Sequence, residues 1–285
     1  MYKIIIDSCG EIPQKLKGDG RFVNVPLTLS IDDWEKRDDE TFDQEEFLAR
    51  MKASKNIPHS ACPSPADYLA EIEEGDAEHV YIVTLSAKLS GSYNAACLAK
   101  SLYEEDHEDD EEDEIKKIHV FDSKSASIGQ TLIGMKAAEC EDAGLSFEEV
   151  VETTDRFIAG EHTFFCLESL ETLRKAGRLG SLKAMLANTL NIKPVMGSTD
   201  EGSIQQLGQA RGMAKALDKM VECMMAVTEN PTEKIVAISH CAAPATANML
   251  VERVKKAAKF KDVFTIDTQG ISSLYAGPGG VIMVV

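Results

Sequence analysis

The spacing of apolar residues predicts strands and helices that alternate along the first 160 residues. Short apolar runs indicate buried strands, and longer segments with apolar residues three or four positions apart indicate helices. This alternation is the pattern of a doubly wound α/β domain with a mostly parallel sheet. The predicted strands are 3–7, 22–29, 79–85 and 115–121, the predicted helices are 43–52, 66–74, 92–103, 128–143 and 146–159, and the predicted loops include 34–41 and 57–65.

The pattern changes after residue 160, where strands no longer alternate regularly with helices. A turn at Asp200-Glu201-Gly202 separates two strands and predicts a hairpin. We therefore predict two closely packed domains, an α/β domain over 1–160 and an α+β domain with a mixed sheet over 161–285. In the second, the predicted strands are 163–167, 192–196, 203–207, 234–240, 264–267 and 280–285, and the predicted helices are 170–176, 181–190, 210–227 and 244–258.

Charge and composition exclude several classes of function. The formal net charge of −18 disfavours nucleic acid and anionic membranes as partners. Much of it lies in 104–114, which reads as a solvated acidic loop. No run of 18 apolar residues exists, so we expect no membrane span, and the strand-like start without a signal-peptide profile predicts a cytoplasmic protein. The seven cysteines are dispersed without a CxxC pair, so we expect reduced thiols and no metal site.

The segment 84–96 is the most informative candidate site. A buried strand runs through Ser90, Gly91 and Ser92 into a helix, which places hydroxyls at the carboxyl edge of a parallel sheet. The unpaired N–H groups of the helix N-terminus suit an anion. Ordinary N-capping by Ser90 or Ser92 explains the same residues, and this stretch by itself leaves both interpretations open.

Other candidates are also open to two interpretations. Ser60 lies in a proline-rich loop that enters the helix 66–74, and we expect it near that helix start. Arg178 suits either a bound anion or the end of a helix, and Arg211 is either solvated or placed for an anion. Gly277-Pro278-Gly279 is either a simple turn or a segment that closes over a ligand. The sequence lacks GxSxG, Walker A, GxGxxG and HExxH patterns.

Seven short motifs occur in an order typical of one family, the DegV family, which the chain resembles over nearly its whole length. They are Asp7-Ser8, Ser60 to Pro65, Leu89-Ser90-Gly91-Ser92-Tyr93, Asp122-Ser123 with Ser127, Gly177-Arg178-Leu179, Leu190-Asn191-Ile192-Lys193-Pro194 and Gly277-Pro278-Gly279. The resemblance implies a two-domain α/β protein that binds one long-chain fatty acid in a cleft between the domains. It also implies that some members present the acyl carboxylate to a separate fatty acid kinase subunit.

The resemblance assigns residues to this site. It implies that Ser60 and Ser90 bond the carboxylate, with Gly91 and Ser92 in support. Arg178 and Arg211 match basic positions near the carboxylate or the kinase-facing surface. Tyr275 stands where many members have histidine; its hydroxyl can donate to a carboxylate but does not titrate near neutral pH. Ala61 and Cys62 also depart from the family's usual Ser-Gln, and Ser92 from its threonine.

The sequence-based hypothesis is a non-catalytic fatty-acid-binding protein that needs no cofactor. Its carboxylate ligands would be Ser60, Ser90 and Tyr275, with the serines at helix N-termini. The alternatives are a hydrolase or phosphotransferase that uses Ser90 as nucleophile with His59 or His240 as base, and an interaction protein that uses its acidic surface.

Overall fold

The computed structural model describes residues 1–18, 20–109, 111, 115–180 and 191–285. The predicted helix 181–190 lies outside the described residues, as do residues 110 and 112–114 of the acidic run. The beginning of that run is helical, because the helix that starts at Ser92 continues to Asp106. The predicted loop therefore begins later than the charge pattern indicates.

A four-stranded parallel sheet forms the centre of the N-terminal half. Its strands are β1 (Tyr2–Asp7), β2 (Phe22–Val25), β6 (His79–Thr84) and β7 (Lys117–Asp122), in the order β2-β1-β6-β7. Helices α3 (Pro65–Glu73) and α4 (Ser92–Asp106) cover one face, and α5 (Ile128–Asp142) and α6 (Phe147–Ala159) cover the other. A short helix, α1 (Gln14–Lys17), follows β1. The doubly wound prediction is confirmed.

A small antiparallel sheet, absent from the prediction, stands beside this layer. It consists of β3 (Thr28–Ile31), β4 (Trp34–Arg37) and β5 (His59–Ala61), in the order β4-β3-β5, and α2 (Gln44–Ala53) packs against it. The predicted strand 22–29 is two strands, and Pro26, which has no N–H to donate, lies in the break. The predicted loops 34–41 and 57–65 contain β4 and β5. β4 forms a local hairpin with β3, in which Ile31 is opposite Trp34, whereas β5 pairs with β3 over a long stretch of chain, with Leu29 opposite Ser60. Both segments are too short to show a periodic pattern.

The C-terminal half contains a six-stranded mixed sheet, as predicted. Its order is β10-β9-β8-β13-β11-β12, in which β11 and β12 are parallel and the other described pairs are antiparallel. Helices α8 (Met213–Val227) and α9 (Pro244–Ala257) cover one face. The strands are β8 (Thr163–Cys166), β9 (Ile192–Ser198), β10 (Ile204–Arg211), β11 (Ile235–His240), β12 (Asp262–Asp267) and β13 (Val281–Val284).

Two helices join the halves. α5 lies between the sheets, with Ile133 in the N-terminal core and Ile128 and Leu132 against the mixed sheet. Ten of its fifteen residues are buried, because it lies between two sheets.

α10 (Gly270–Ala276), which the sequence did not predict, packs on the small sheet, and α7 (Glu171–Lys175) follows β8. A 3-10 turn, Pro231–Glu233, precedes β11.

Candidate functional site

A cavity of about 330 Å³ lies at the carboxyl ends of the parallel strands, bounded also by the small sheet and the mixed sheet. Its size is at the lower end of the range for small-molecule sites. Most of its wall is apolar, and hydroxyl groups interrupt the apolar surface at separate places. The apolar side chains of the wall include Leu27, Leu85, Phe165, Leu167, Leu173, Ile271 and Ile282.

The three predicted carboxylate-binding residues all line this cavity. The Ser60 hydroxyl lies 2.9 Å from the Tyr275 hydroxyl, although 215 residues separate them in the chain. The Ser90 hydroxyl lies 3.0 Å from that of Ser92. Ser60, Ser90 and Tyr275 are each half-buried and line the cavity. Together they form a set of neutral donors suited to one anionic group.

Ser60 is not at a helix N-terminus, which corrects the prediction. It lies in β5 opposite Leu29 of β3, and the following helix α3 is capped by Ser64, whose hydroxyl accepts from the Asp67 N–H. The two prolines at 63 and 65 allow the chain to stay extended through this segment. Ser60 is therefore positioned by strand pairing and contributes a hydroxyl without a helix dipole.

Ser90 does lie at a helix start. Gly91 is the N-cap residue of α4, and it has no side chain to cap the helix. The Ser90 hydroxyl accepts a hydrogen bond from the Ser92 N–H at 3.2 Å, so part of the capping interpretation is correct. This bond directs the Ser90 oxygen toward the first turn of α4. The N-cap residue Gly91 also lines the cavity, so this end of the helix borders it. The positive end of the α4 dipole thus lies beside the candidate site.

A buried carboxyl group supports the loop that carries Ser90. Asp7, at the end of β1, accepts hydrogen bonds from the Leu85 N–H at 2.7 Å and the Gln130 side-chain amide at 2.9 Å. Burial raises the pKa of Asp7, and the bonds from Gln130, Leu85, Cys9 and Ser92 oppose that rise. Asp7 thereby ties the ends of β1 and β6 together directly below the site.

The helix that carries Tyr275 is held by a carboxyl group from the small sheet. Asp38, just after β4, accepts hydrogen bonds from the N–H groups of Gly270 at 2.8 Å and Ile271 at 2.9 Å. Burial raises the pKa of Asp38 to about 6, against the opposing effect of these two N–H groups. Asp38 thus caps α10 from a distant part of the chain and helps to position Tyr275 next to Ser60.

The two predicted arginines lie in different places. Arg178 lines the cavity, and its guanidinium donates to the carbonyl oxygens of Leu89 at 3.2 Å and Ala176 at 2.6 Å. It therefore connects α7 to the loop before Ser90. Arg211 is exposed at the end of β10, opposite Ile192, and is not among the described residues of the cavity wall. Helix α8 starts only after Gly212, whose φ of 79° suits glycine.

The turn Gly277-Pro278-Gly279 does not close over the cavity. The Gly279 N–H donates to the Cys241 carbonyl oxygen at 2.9 Å, and a methyl group on Gly279 would lie 2.7 Å from Glu168. None of the three residues belongs to the described cavity wall, which includes Ala276 before the turn and Ile282 after it. The turn connects α10 to β13, and its glycines allow a close approach to neighbouring backbone and to Glu168.

A catalytic use of Ser90 lacks the predicted histidine base in the described cavity wall. None of the described residues of the cavity wall is a histidine. His59 is exposed on β5, next to Ser60 but on the opposite side of the strand. His240 is buried at the end of β11, where its Nδ1 lies 3.2 Å from an Asp267 carboxylate oxygen. The geometry therefore does not favour the hydrolase or phosphotransferase alternative.

A second group of polar side chains, which the sequence did not single out, lies along the cavity away from Tyr275. The hydroxyls of Ser125 and Thr163 are 2.7 Å apart and line the wall, and both residues are buried. Behind them lies the carboxyl group of Glu161, whose pKa is raised by burial to about 8. The cluster of serines after β7 was the available signal for this group, but the pairing with Thr163 depends on the tertiary fold.

Glu161 should make stability depend on pH. The folded protein keeps the Glu161 proton up to about pH 8, whereas the unfolded chain releases it near pH 4.5, so unfolding releases a proton between these values. Stability from this group therefore falls as pH rises through that interval. We expect the free energy of unfolding of Glu161→Gln, relative to that of wild type, to rise by about 1 kcal/mol for each pH unit from pH 5 to 8. Urea unfolding of ligand-free protein measures this difference, and two parallel stability curves would contradict it.

A membrane-spanning helix is not found among the described residues, since their helices are too short or too polar for one.

The family model for DegV, whose description is "Uncharacterised protein, DegV family", matches residues 1–285. The chain belongs to the DegV family. A DegV domain-containing protein of Streptococcus pneumoniae is 35% identical over 271 residues, which cover 92% of this chain and 90% of the relative. The family resemblance predicted from the seven motifs is thereby confirmed.

Solved structures of DegV proteins share the fold. A DegV-family protein from Ruminococcus gnavus, refined with vaccenic acid, is 48% identical with a TM-score of 0.95, and the match covers 100% of this chain and 99% of that one. The fatty acid kinase (Fak) B3 protein of Streptococcus pneumoniae, loaded with linoleic acid, is 32% identical with a TM-score of 0.87, over 100% and 98% of the two chains. The predicted two-domain α/β fold class is confirmed by these matches.

Proposed function

We propose that this protein binds one long-chain fatty acid in the cavity, with its carboxylate held by Ser60, Ser90 and Tyr275. The observation that carries the proposal is that all three residues line one mainly apolar cavity, in which the Ser60 and Tyr275 hydroxyls are in contact. Each buried methylene of an acyl chain contributes about 0.8 kcal/mol, so the tail supplies the main driving force. The bound vaccenic and linoleic acids of the two similar proteins support the same ligand class.

The head group needs orientation more than strong charge pairing. Neutral hydroxyls satisfy the carboxylate oxygens, and the N-terminus of α4 beside Gly91 adds partial positive charge. The Arg178 guanidinium, on the same wall, adds a full positive charge to the site. The Tyr275 hydroxyl bonds to Ser60 and would also donate to the carboxylate. The expected role is binding and presentation of the acid, not its chemical conversion.

Native mass spectrometry of the purified, delipidated protein tests this function. With palmitate or oleate added, we expect a complex with one fatty acid per chain, and we expect organic extraction of the protein before delipidation to yield long-chain fatty acid. A shorter acid such as octanoate serves as the control, since it buries fewer methylenes and should bind far more weakly. If extraction yields no acyl chain and neither palmitate nor oleate binds, the proposal is wrong.

A kinase partner forms a second part of the proposal. We infer that the protein presents its bound carboxylate to a separate ATP-dependent kinase, which would form the acyl phosphate. The similarity to the fatty acid kinase B3 protein supports this part. Mixing the palmitate-loaded protein with a bacterial fatty acid kinase subunit and ATP should release ADP in proportion to the loaded protein. If ADP release does not depend on the loaded protein, the kinase role is wrong while fatty acid binding stands.

A further inference from the structure

Strand β8 shows how the cavity is oriented. Thr163 and Phe165 lie on one face of β8, Leu167 is the first residue after the strand, and all three line the cavity. Phe165 and Leu167 both pack in the same apolar cluster as Tyr275, a residue of the proposed carboxylate site. Four residues separate Leu167 from Thr163, or about 13 Å along a strand. Thr163 therefore lies well along the cavity from Tyr275.

The Thr163 end is polar. The Thr163 and Ser125 hydroxyls are 2.7 Å apart, and both residues are buried. Ser198, whose hydroxyl accepts from the Thr163 N–H at 3.4 Å, also lines the cavity there. The two hydroxyls have one O–H donor each but more lone pairs than these donors can use, so acceptor capacity remains. An alkyl chain that reached this end would leave that capacity unused.

A buried carboxyl group adds to this polarity. Both carboxyl oxygens of Glu161 are buried, and hydrogen bonding by the Ser125 hydroxyl opposes the rise that burial causes in the Glu161 pKa. Gly129 shows how close this group is to the serine: a methyl group there would lie 2.1 Å from the Ser125 hydroxyl oxygen and 2.6 Å from a Glu161 carboxyl oxygen. Unpaired buried polar groups are costly and uncommon. A carboxyl group next to the hydroxyl pair is therefore unusual at the tail end of a purely alkyl ligand.

We propose that Ser125 and Thr163, backed by Glu161, form a second polar subsite that binds a hydroxyl group on the distal part of an acyl chain. The ligand class is then a long-chain hydroxy fatty acid, and this inference rests on the proposed fatty acid function. The site takes such a ligand at both ends, with the carboxylate near Ser90 and the hydroxyl near Thr163. A pocket built to bond a hydroxyl discriminates against the analogue that lacks it, because its polar groups are then left unpaired.

Competition binding with stearic acid and a series of monohydroxystearic acids tests the proposal. The hydroxyl is moved along the chain from acid to acid, and each acid competes with stearic acid for the delipidated protein. We expect one narrow range of positions to bind about fivefold more tightly than stearic acid, the value of one net hydrogen bond. If every hydroxy acid binds more weakly than stearic acid, the subsite proposal is wrong. If neither stearic nor hydroxystearic acids bind, the proposed function itself fails.

The isosteric change Thr163→Val assigns the preference to this subsite. It should remove the fivefold preference for the best hydroxy acid, which is read as the ratio of the dissociation constants of stearic acid and that hydroxy acid in the same variant. Ser125→Ala is the second variant, in case valine disturbs β8. Thr154→Val is the matched control, since Thr154 is another buried threonine, on α6, and does not belong to the described cavity wall. A hydroxy acid preference that persists in both Thr163→Val and Ser125→Ala would overturn the proposal.

Discussion

Replacing Ser90 with alanine will weaken palmitate binding by roughly 10- to 100-fold. A hydrogen bond to a charged group is worth about 1.5–3 kcal/mol when its loss leaves the charge short of a partner, and about 1.4 kcal/mol corresponds to one factor of ten. The Ser90 hydroxyl lies at the N-terminus of α4, so Ser90→Ala removes a donor beside the positive end of the helix dipole. Isothermal titration of delipidated protein with palmitate measures the loss.

The control for this prediction lies on the same helix. Ser101 is exposed on α4 and bonds only to the Cys97 carbonyl oxygen among the described residues, so Ser101→Ala should leave the dissociation constant unchanged. Ser60→Ala should also weaken binding, and less strongly, because Ser60 lies on β5 without a helix end. If Ser90→Ala binds palmitate as tightly as Ser101→Ala does, Ser90 is not a carboxylate ligand.

Gly270→Ala will lower the free energy of unfolding by about 3 kcal/mol. A methyl group at this position would lie 2.5 Å from an Asp38 carboxyl oxygen and 2.5 Å from a Leu29 methyl group. Overpacking of a tight core commonly costs 1–3 kcal/mol, and here it also disturbs the bonds that Asp38 accepts from the first turn of α10. Urea unfolding followed by circular dichroism measures the change.

The same substitution should reach the site, because α10 carries Tyr275 to its contact with Ser60. Palmitate binding should therefore weaken along with stability. Gly18→Ala is the matched control: Gly18 has ordinary helical backbone angles, and no atom of the described residues that it could meet lies within 4 Å of the added methyl group. Equal stability of the two variants would show that Asp38 and Leu29 make room for the methyl group, and would contradict the prediction.

Local sequence determined most of the regular elements. The capping boxes that begin at Ser64 and Ser146 set the starts of α3 and α6, because their side chains satisfy backbone groups only three residues away. The alternation of strands and helices up to residue 160 predicted the doubly wound sheet, and this signal is also local. Apolar residues recur about every 3.6 positions in a helix and every second position in a strand, so each element can be recognised from its own residues. Ser90 was recognisable because strand, hydroxyl and helix follow one another directly in the chain.

The tertiary structure alone decided how the site is assembled. Strand β5 exists only through its pairing with β3, and that pairing moves Ser60 from the expected helix start to the side of Tyr275. α10 has no apolar period that predicts it, and it is capped by Asp38 from 232 residues away. The pairing of Ser125 with Thr163 likewise depends on how the two sheets meet. The sequence therefore determined the elements and the family, whereas contacts between distant segments decided which hydroxyls share the cavity, since no local pattern encodes a long-range register.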